Sequence, residues 1–227
     1  VVLGAEQVVS GLSLTILGLG MAAFVGKNAV GRPPGAVLAP VDWGFLSDIP
    51  WIGPIIFSQS PIVYFAVLCG ATTSFVLTRT RTGLALRGAG ESASTVDASG
   101  HSVVQLRLGA IAMGGALAGA SGAYLTLCLT PQWTEGVTAG RGWIAVALVI
   151  FGAWRPGRCA IGALLFGGLL ALKTRLQTFG VDLSPILLSM IPYVLTIGVL
   201  IAISIRARNR PSSAPAALGQ AYRREER

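Results

Sequence analysis

Few residues in this chain could carry covalent chemistry, and their spacing argues against most of it. Gly119-Ala120-Ser121-Gly122 has the GxSG spacing of an intramembrane serine protease. A serine nucleophile there needs a histidine on a later span to take its proton. The one histidine, His101, lies upstream in a polar stretch, so Ser121 reads as a small packing residue. A phosphate-binding P-loop needs G-x-x-x-x-G-K-[ST], whose backbone N–H groups and lysine hold the phosphates. The Gly26-Lys27 pair runs on into Asn28 and lacks the upstream glycine, so ATP hydrolysis by this chain is not expected. Cys69, Cys128 and Cys159 lie in or beside apolar runs, with no CxxC and no cysteine–histidine pairing. They predict neither a zinc site nor a disulfide framework. His101 stands alone as a solvated loop residue, and no metal or cofactor is expected.

A membrane protein is what the composition leaves. Of 227 residues, 53% are hydrophobic and 11% charged, against about 25% charged in soluble domains. A water-soluble enzyme and a disordered chain are both excluded on these grounds. An integral membrane protein with several spans remains. The net charge is +8, from 17 Lys+Arg against 9 Asp+Glu. On so apolar a background, basic residues suit loops facing acidic lipid rather than nucleic acid. An ion-coupled carrier needs ionisable groups within the spans. Only Glu6, Lys173 and Arg175 approach them, so the energy for transport has to come from another subunit.

The elements that would position such a pathway can be placed by length. About 20 apolar residues cross a bilayer core. Candidate segments cover residues 8–25, 61–77, 108–129, 143–154, 159–176 and 185–205. The fourth has only a dozen residues, roughly 18 Å of helix, so it is either a short buried span or a re-entrant piece. The WRPGR run at 154–158 breaks it, and Pro192 should kink the sixth segment. Residues 26–60 form a long Pro-rich loop, with a short interfacial piece around Trp51 to Phe57. Residues 78–107, with four arginines, cannot lie in lipid; short helical pieces are expected at 83–87 and 92–98. The tail from Arg206 reads as disordered and solvated, which makes residues 1–205 the membrane domain.

If every segment crosses, twelve arginines fall on the side of 78–107 and the tail, against five basic residues on the other. The positive-inside rule then puts that loop and the C-terminus in the cytoplasm. Trp43, Trp51, Trp133, Trp143 and Trp154 all sit near predicted span ends, where indole rings anchor. Gly115 and Gly119 in GxxxG spacing, and Ala163, Gly167 and Ala171 further on, predict close helix packing. The expected architecture is an all-α polytopic transmembrane helix bundle with about six membrane segments.

The run RTRTGLALRGAGESASTVDASG at 79–100 resembles the cytoplasmic motif of permease subunits of sugar-type ABC importers. GRGWIAVALVIFGAWRP at 140–156 and GALLFG at 162–167 are similar to further motifs of that family. EQVVSGLSLTILGLG at 6–20 and IIFSQSPIVYFAV at 55–67 resemble its branch linked to basic-membrane-protein-type lipoproteins, often working on nucleosides. The resemblance covers residues 6–206. It departs at Thr15, where asparagine is expected, and at Ser94-Thr95-Val96, where alanine is commoner; these positions bear on the substrate more than on the class. Family members are commonly longer, which implies spans upstream of Val1.

The resemblance implies a cobalamin-importer-like (type II) ABC permease in the bacterial plasma (inner) membrane. Its implied partners are an ABC ATP-binding subunit, a second permease subunit, an extracytoplasmic substrate-binding lipoprotein and the lipid bilayer, with no nucleic acid. Arg87, Gly90, Glu91, Asp97 and Gly100 would couple it to the ATPase, and Thr126, Glu135 and Arg141 would lie by the outer mouth. A charge-poor lumen suits a nucleoside or simple sugar. A branched-chain amino-acid permease, or a membrane scaffold with no pathway, are the other readings.

Overall fold

The computed structural model describes residues 6–32, 38–41, 56–138, 140–178 and 214–220, with isolated positions 44, 47, 49, 190, 194, 197, 198, 201 and 205. The elements among the described residues are all helices, with one isolated bridge between Val30 and Trp133. They fall into two compact units, residues 1–139 with 215–227, and residues 140–214.

In the first unit, α1 (Gln7–Gly26) is 20 residues long, about 30 Å of helix. Ser10 and Thr15 donate their hydroxyls back to the Glu6 and Gly11 carbonyls, each at 2.8 Å, so neither presents a free donor to lipid. α2 (Pro61–Arg79) starts on a proline, which suits the first helical position because its missing N–H is not needed there. α5 (Val103–Tyr124) runs on into a π-helical turn at Leu125–Leu129. These three are long and apolar enough to cross a membrane.

Between α2 and α5 the chain is cut into short helices by hydroxyl side chains. Thr80, in an extended conformation, closes α2 and opens α3 (Arg81–Glu91). Its Oγ1 donates to the Val76 carbonyl at 2.6 Å and accepts from the Gly83 N–H at 3.1 Å. Ser92 does the same between α3 and α4 (Ala93–Ala98): its N–H donates to the Gly88 carbonyl at 2.8 Å and its Oγ accepts from the Thr95 N–H at 3.4 Å. Ser102 caps α5 by accepting from Gln105 N–H at 3.4 Å. Each cap satisfies a donor that the first helical turn leaves unpaired, worth about 1 kcal/mol. α4 ends in a Schellman motif, with Gly100 at φ +88°, the Gly100 N–H on Asp97 at 3.0 Å and the His101 N–H on Val96 at 3.3 Å. A small core joins these pieces: Ala89, Ala93, Val96 and Val103, with Leu106 against it. Val103, at 2% exposure, is its most enclosed side chain.

In the second unit, α6 (Arg141–Phe151) has 11 residues, roughly 16 Å, too short for a bilayer core of about 30 Å. It ends in another Schellman arrangement, with the Ala153 N–H on Ile150 at 3.0 Å and the Trp154 N–H on Val149 at 3.1 Å. Ala153 and Trp154 have φ of +49° and +55°, the left-handed region where a Cβ is strained. α7 (Pro156–Thr178) then returns along α6, so close that a Cβ on Gly162 would press on Leu148 and Phe151.

Several expectations change. α5 starts at Val103 rather than at residue 108, because Ser102 caps it and the helix runs through Arg107. α7 starts at Pro156 rather than 159, because proline serves as a first helical residue. Among the described residues no atom lies within 4 Å of a Cβ placed on Gly115 or Gly119, so no described helix packs on that stripe. In the second unit the close approach falls at Gly162, and Gly167 faces open space. The tail, expected to be solvated, folds back at 214–220: the Ala217 N–H donates to the Gly90 carbonyl at 2.8 Å, and Arg107 Nη1 donates to the Gln220 carbonyl at 3.1 Å. Most of the sixth segment, the start of the interfacial piece, Trp43 and Trp51 lie outside the described residues.

Candidate functional site

Two places in the first unit gather the residues singled out by sequence. The first is the α3–α4 connector. Gly83, Ala85 and Ala89 of α3 are buried, the two alanines on one side of the helix. Leu84, Arg87 and Glu91, spaced by three and four, share another side and are exposed. Leu84 stays 64% exposed on a helix outside the three long apolar ones. Glu91 sits beside the Ser92 corner, and Gly100 is the exposed left-handed turn after α4. Gly90 and Asp97 are half-buried. Pro215 lies over Gly90, 3.3 Å from where its Cβ would be, so part of this surface is covered by the chain's own tail. The structure therefore brings Arg87 and Glu91 together on one face and places Gly90, Asp97 and Gly100 around it, with Gly90 less accessible than the sequence suggests.

The shape of the connector depends on one close approach. A Cβ on Gly83 would strike the Val76 carbonyl, so only glycine lets α3 turn back so tightly on the end of α2. The caps Thr80, Ser92 and Ser102 were not singled out by sequence. Their signal was present, since each is a hydroxyl residue directly before a helical stretch.

The second place is a cavity of ≈ 560 Å³ between the C-terminal half of α1, the end of α5 and the loop at 133–138. Thr126 and Glu135 both line it. Gly119, Gly122 and Ala123 form the α5 wall, so the small residues of that helix open a space instead of closing one. Thr126 lies on the π turn, and its hydroxyl donates back to Gly122 and Ala123 at 3.4 and 3.3 Å. A π turn widens a helix locally and often marks a functional position.

Trp133, read from sequence as a membrane-interface anchor, also lines this cavity. It packs on Gly26, where a Cβ would collide with the indole, and the Val30–Trp133 bridge holds the two loops side by side. Its indole nitrogen is buried with no hydrogen-bond partner. Among the described lining residues none is Lys, Arg or His. Arg141, the remaining mouth residue, opens α6 in the second unit. No group of three or more potential metal ligands occurs among the described residues.

Three helices long and apolar enough to cross a membrane, with shorter apolar helices after them, are what a multi-pass membrane protein requires. Over residues 1–200 the chain matches, and belongs to, the family described as branched-chain amino acid transport system / permease component. It is 37% identical over 246 residues to a protein of Haloferax volcanii provisionally named a glucose ABC transporter permease, covering 98% of this chain and 74% of the relative. It is 33% identical over 212 residues to a nucleoside ABC transporter permease of Lactococcus lactis, covering 87% of this chain and 64% of the relative. It is 31% identical over 229 residues to a guanosine ABC transporter permease of Bacillus subtilis, covering 96% and 69%. No solved structure matches the chain. A permease component of this kind works with an ATPase and a binding protein.

Proposed function

We propose that this chain is the membrane-spanning permease subunit of an ATP-driven importer for nucleosides or simple sugars. The observation that carries the reading is the joint one: a family match over residues 1–200, with similarity to glucose, nucleoside and guanosine permeases over most of the chain. The connector supports it, because α3 offers an exposed face with an apolar residue flanked by both charges, a suitable seat for a soluble partner. In this reading the ATPase docks at 78–107, through Arg87, Glu91 and the surroundings of Gly90, Asp97 and Gly100. Closure of the nucleotide-binding subunits then rocks the helices about the outer cavity, a rigid-body form of alternating access. The complete bundle has six segments in this chain and the type II permease fold. It sits in the plasma membrane with its C-terminus in the cytoplasm, beside a second permease, and receives solute from a binding lipoprotein.

A branched-chain amino acid would bring a carboxylate, and the described lining of the cavity offers it no cation, although Glu135 could meet its ammonium group. That favours a neutral cargo. The test is uptake by cells carrying the full chain with its ATPase and binding protein. Labelled guanosine or glucose should accumulate, and removal of the ATPase P-loop lysine should abolish accumulation. Accumulation that persists without that lysine, or leucine uptake in place of guanosine and glucose, contradicts the proposal.

A further inference from the structure

We infer that the C-terminal segment 214–220 is an autoinhibitory strap, which lies on the α3–α4 connector at Gly90 and competes there with the ATPase. The inference rests on the docking reading above and deepens it by naming what regulates access to the seat.

The contact starts from a need of α3. The chain bends at Ser92, in an extended conformation, so the last carbonyls of α3 lack the donors that a continuing helix would supply. The Ser92 N–H meets the Gly88 carbonyl at 2.8 Å. The Gly90 carbonyl is met from far along the chain, by the Ala217 N–H, also at 2.8 Å. Pro215 lies over Gly90, its Cβ 3.3 Å from where a Cβ at that position would be. At the other end of the segment, Arg107 Nη1 of α5 donates to the Gln220 carbonyl at 3.1 Å. The segment therefore runs from the end of α3 to the start of α5, across ground that a partner seated on Glu91 and Gly90 would occupy.

Two properties make it a removable cover. The first is the shallowness of its hold. Both hydrogen bonds use tail backbone, and Ala216, Leu218, Gly219 and Gln220 stay exposed, Leu218 to 62%. The core of Ala89, Ala93, Val96 and Val103 is built without it. The second is that it keeps a shape of its own. The Leu218 N–H donates to Pro215 and the Gln220 N–H to Ala217, each at 3.1 Å, and Gly219 takes the left-handed turn at φ +78°. A segment already folded loses little freedom on docking, and its tether to the connector keeps its effective concentration high. An ATPase approaching the exposed Arg87 and Glu91 meets the strap at the adjoining Gly90. Its apparent affinity is then the intrinsic one scaled by the fraction of chains with the strap lifted.

The same contact supplies the test, because 3.3 Å between Cβ positions is close to the roughly 3.8 Å usual in a disulfide. The full chain carrying Gly90→Cys and Pro215→Cys, with Cys69, Cys128 and Cys159 each replaced by alanine, is purified in detergent. Its affinity for the ATPase is measured oxidised and after reduction. Oxidation should weaken binding at least about tenfold, and reduction should restore it. In the native-cysteine background, a chain ending at Ser213 and Ala217→Pro, which removes only the donating N–H, should each bind about fivefold more tightly than wild type, the factor one ordinary hydrogen bond supplies. The oxidised and reduced forms share one sequence, so the comparison holds even where the shortened chain fails to fold. Failure of the disulfide to form, or equal affinity in the two redox states, overturns the inference. Tighter binding on oxidation also overturns it, by making the segment part of the seat. An ATPase that binds no form at all sinks the docking reading itself, whereas equal binding leaves that reading intact.

Discussion

The α3–α4 connector and the α1 helix are both helical, but different forces hold them. In the connector each helix is ended or begun by a hydroxyl, the core is built from Ala89, Ala93, Val96 and Val103, and Gly83 permits a backbone approach that no other residue would. In α1 the apolar side chains point outward: Leu14 is 67% and Ile16 71% exposed, and no atom lies near a Cβ placed on Gly11, Gly18 or Gly20. Water competes for every free N–H and C=O of the connector, so short helices there need caps and a core. A bilayer does not compete, and a helix in it satisfies its own backbone and needs only length and apolarity. The difference teaches where mutation should be felt: by atomic contact in the connector, by gross polarity in the span.

The largest expected effect breaks the connector at its tightest point. Gly83→Val should destabilise the detergent-solubilised full chain by about 3 kcal/mol or prevent its folding, through a clash with the Val76 carbonyl. Gly18→Ala in α1 should change the same melting measurement by less than about 0.5 kcal/mol. Comparable losses at both positions would erase the contrast. Next in size is Val103→Ala, expected to cost about 2 kcal/mol through the cavity it leaves in the small core, against almost nothing for Leu14→Ala. Chemical denaturation of the two variants side by side decides this.

Ser92→Ala should cost about 1 kcal/mol by removing the cap of α4. Amide exchange of Ala93–Ala98 should speed up while α5 stays protected. The smallest effect lies in the second unit. Ala153→Gly relieves a left-handed alanine at the cost of the extra entropy glycine loses, and should stabilise by about 0.5 kcal/mol. A lower melting temperature for that variant would show that the α6–α7 corner is set by something other than backbone strain.

Much of this was legible in sequence, for unequal reasons. α1 and α2 follow from apolar length, since a membrane span is specified by composition over about 20 residues. The α3 and α4 pieces are visible from polarity, but their ends are not: the expected pieces at 83–87 and 92–98 leave out Thr80 and count Ser92 as helical, whereas both are caps. GxxxG spacing is shared by close packing and by an open wall, and in α5 no described helix approaches Gly115 or Gly119, while Gly119 lines a cavity. Thr126 and Glu135 were picked out as neighbours of the outer mouth, and they line one cavity. A tryptophan near a span end has an interfacial explanation in sequence, whereas the seat of Trp133 on Gly26 and at the cavity wall is a three-dimensional fact. The tail's return to Gly90 had no sequence signal, because it depends on one backbone hydrogen bond to a residue far away in the chain.

The account's central claim is that the α3 face couples this permease to an ATPase. The most direct measurement is co-purification of the ATPase with the membrane-extracted full chain, comparing wild type with Leu84→Asp/Glu91→Arg. Both residues are exposed, so the double variant should keep the wild-type melting temperature. The account predicts that wild type retains the ATPase and that the variant loses it. Full retention by a folded variant, or no binding to wild type, would contradict the claim.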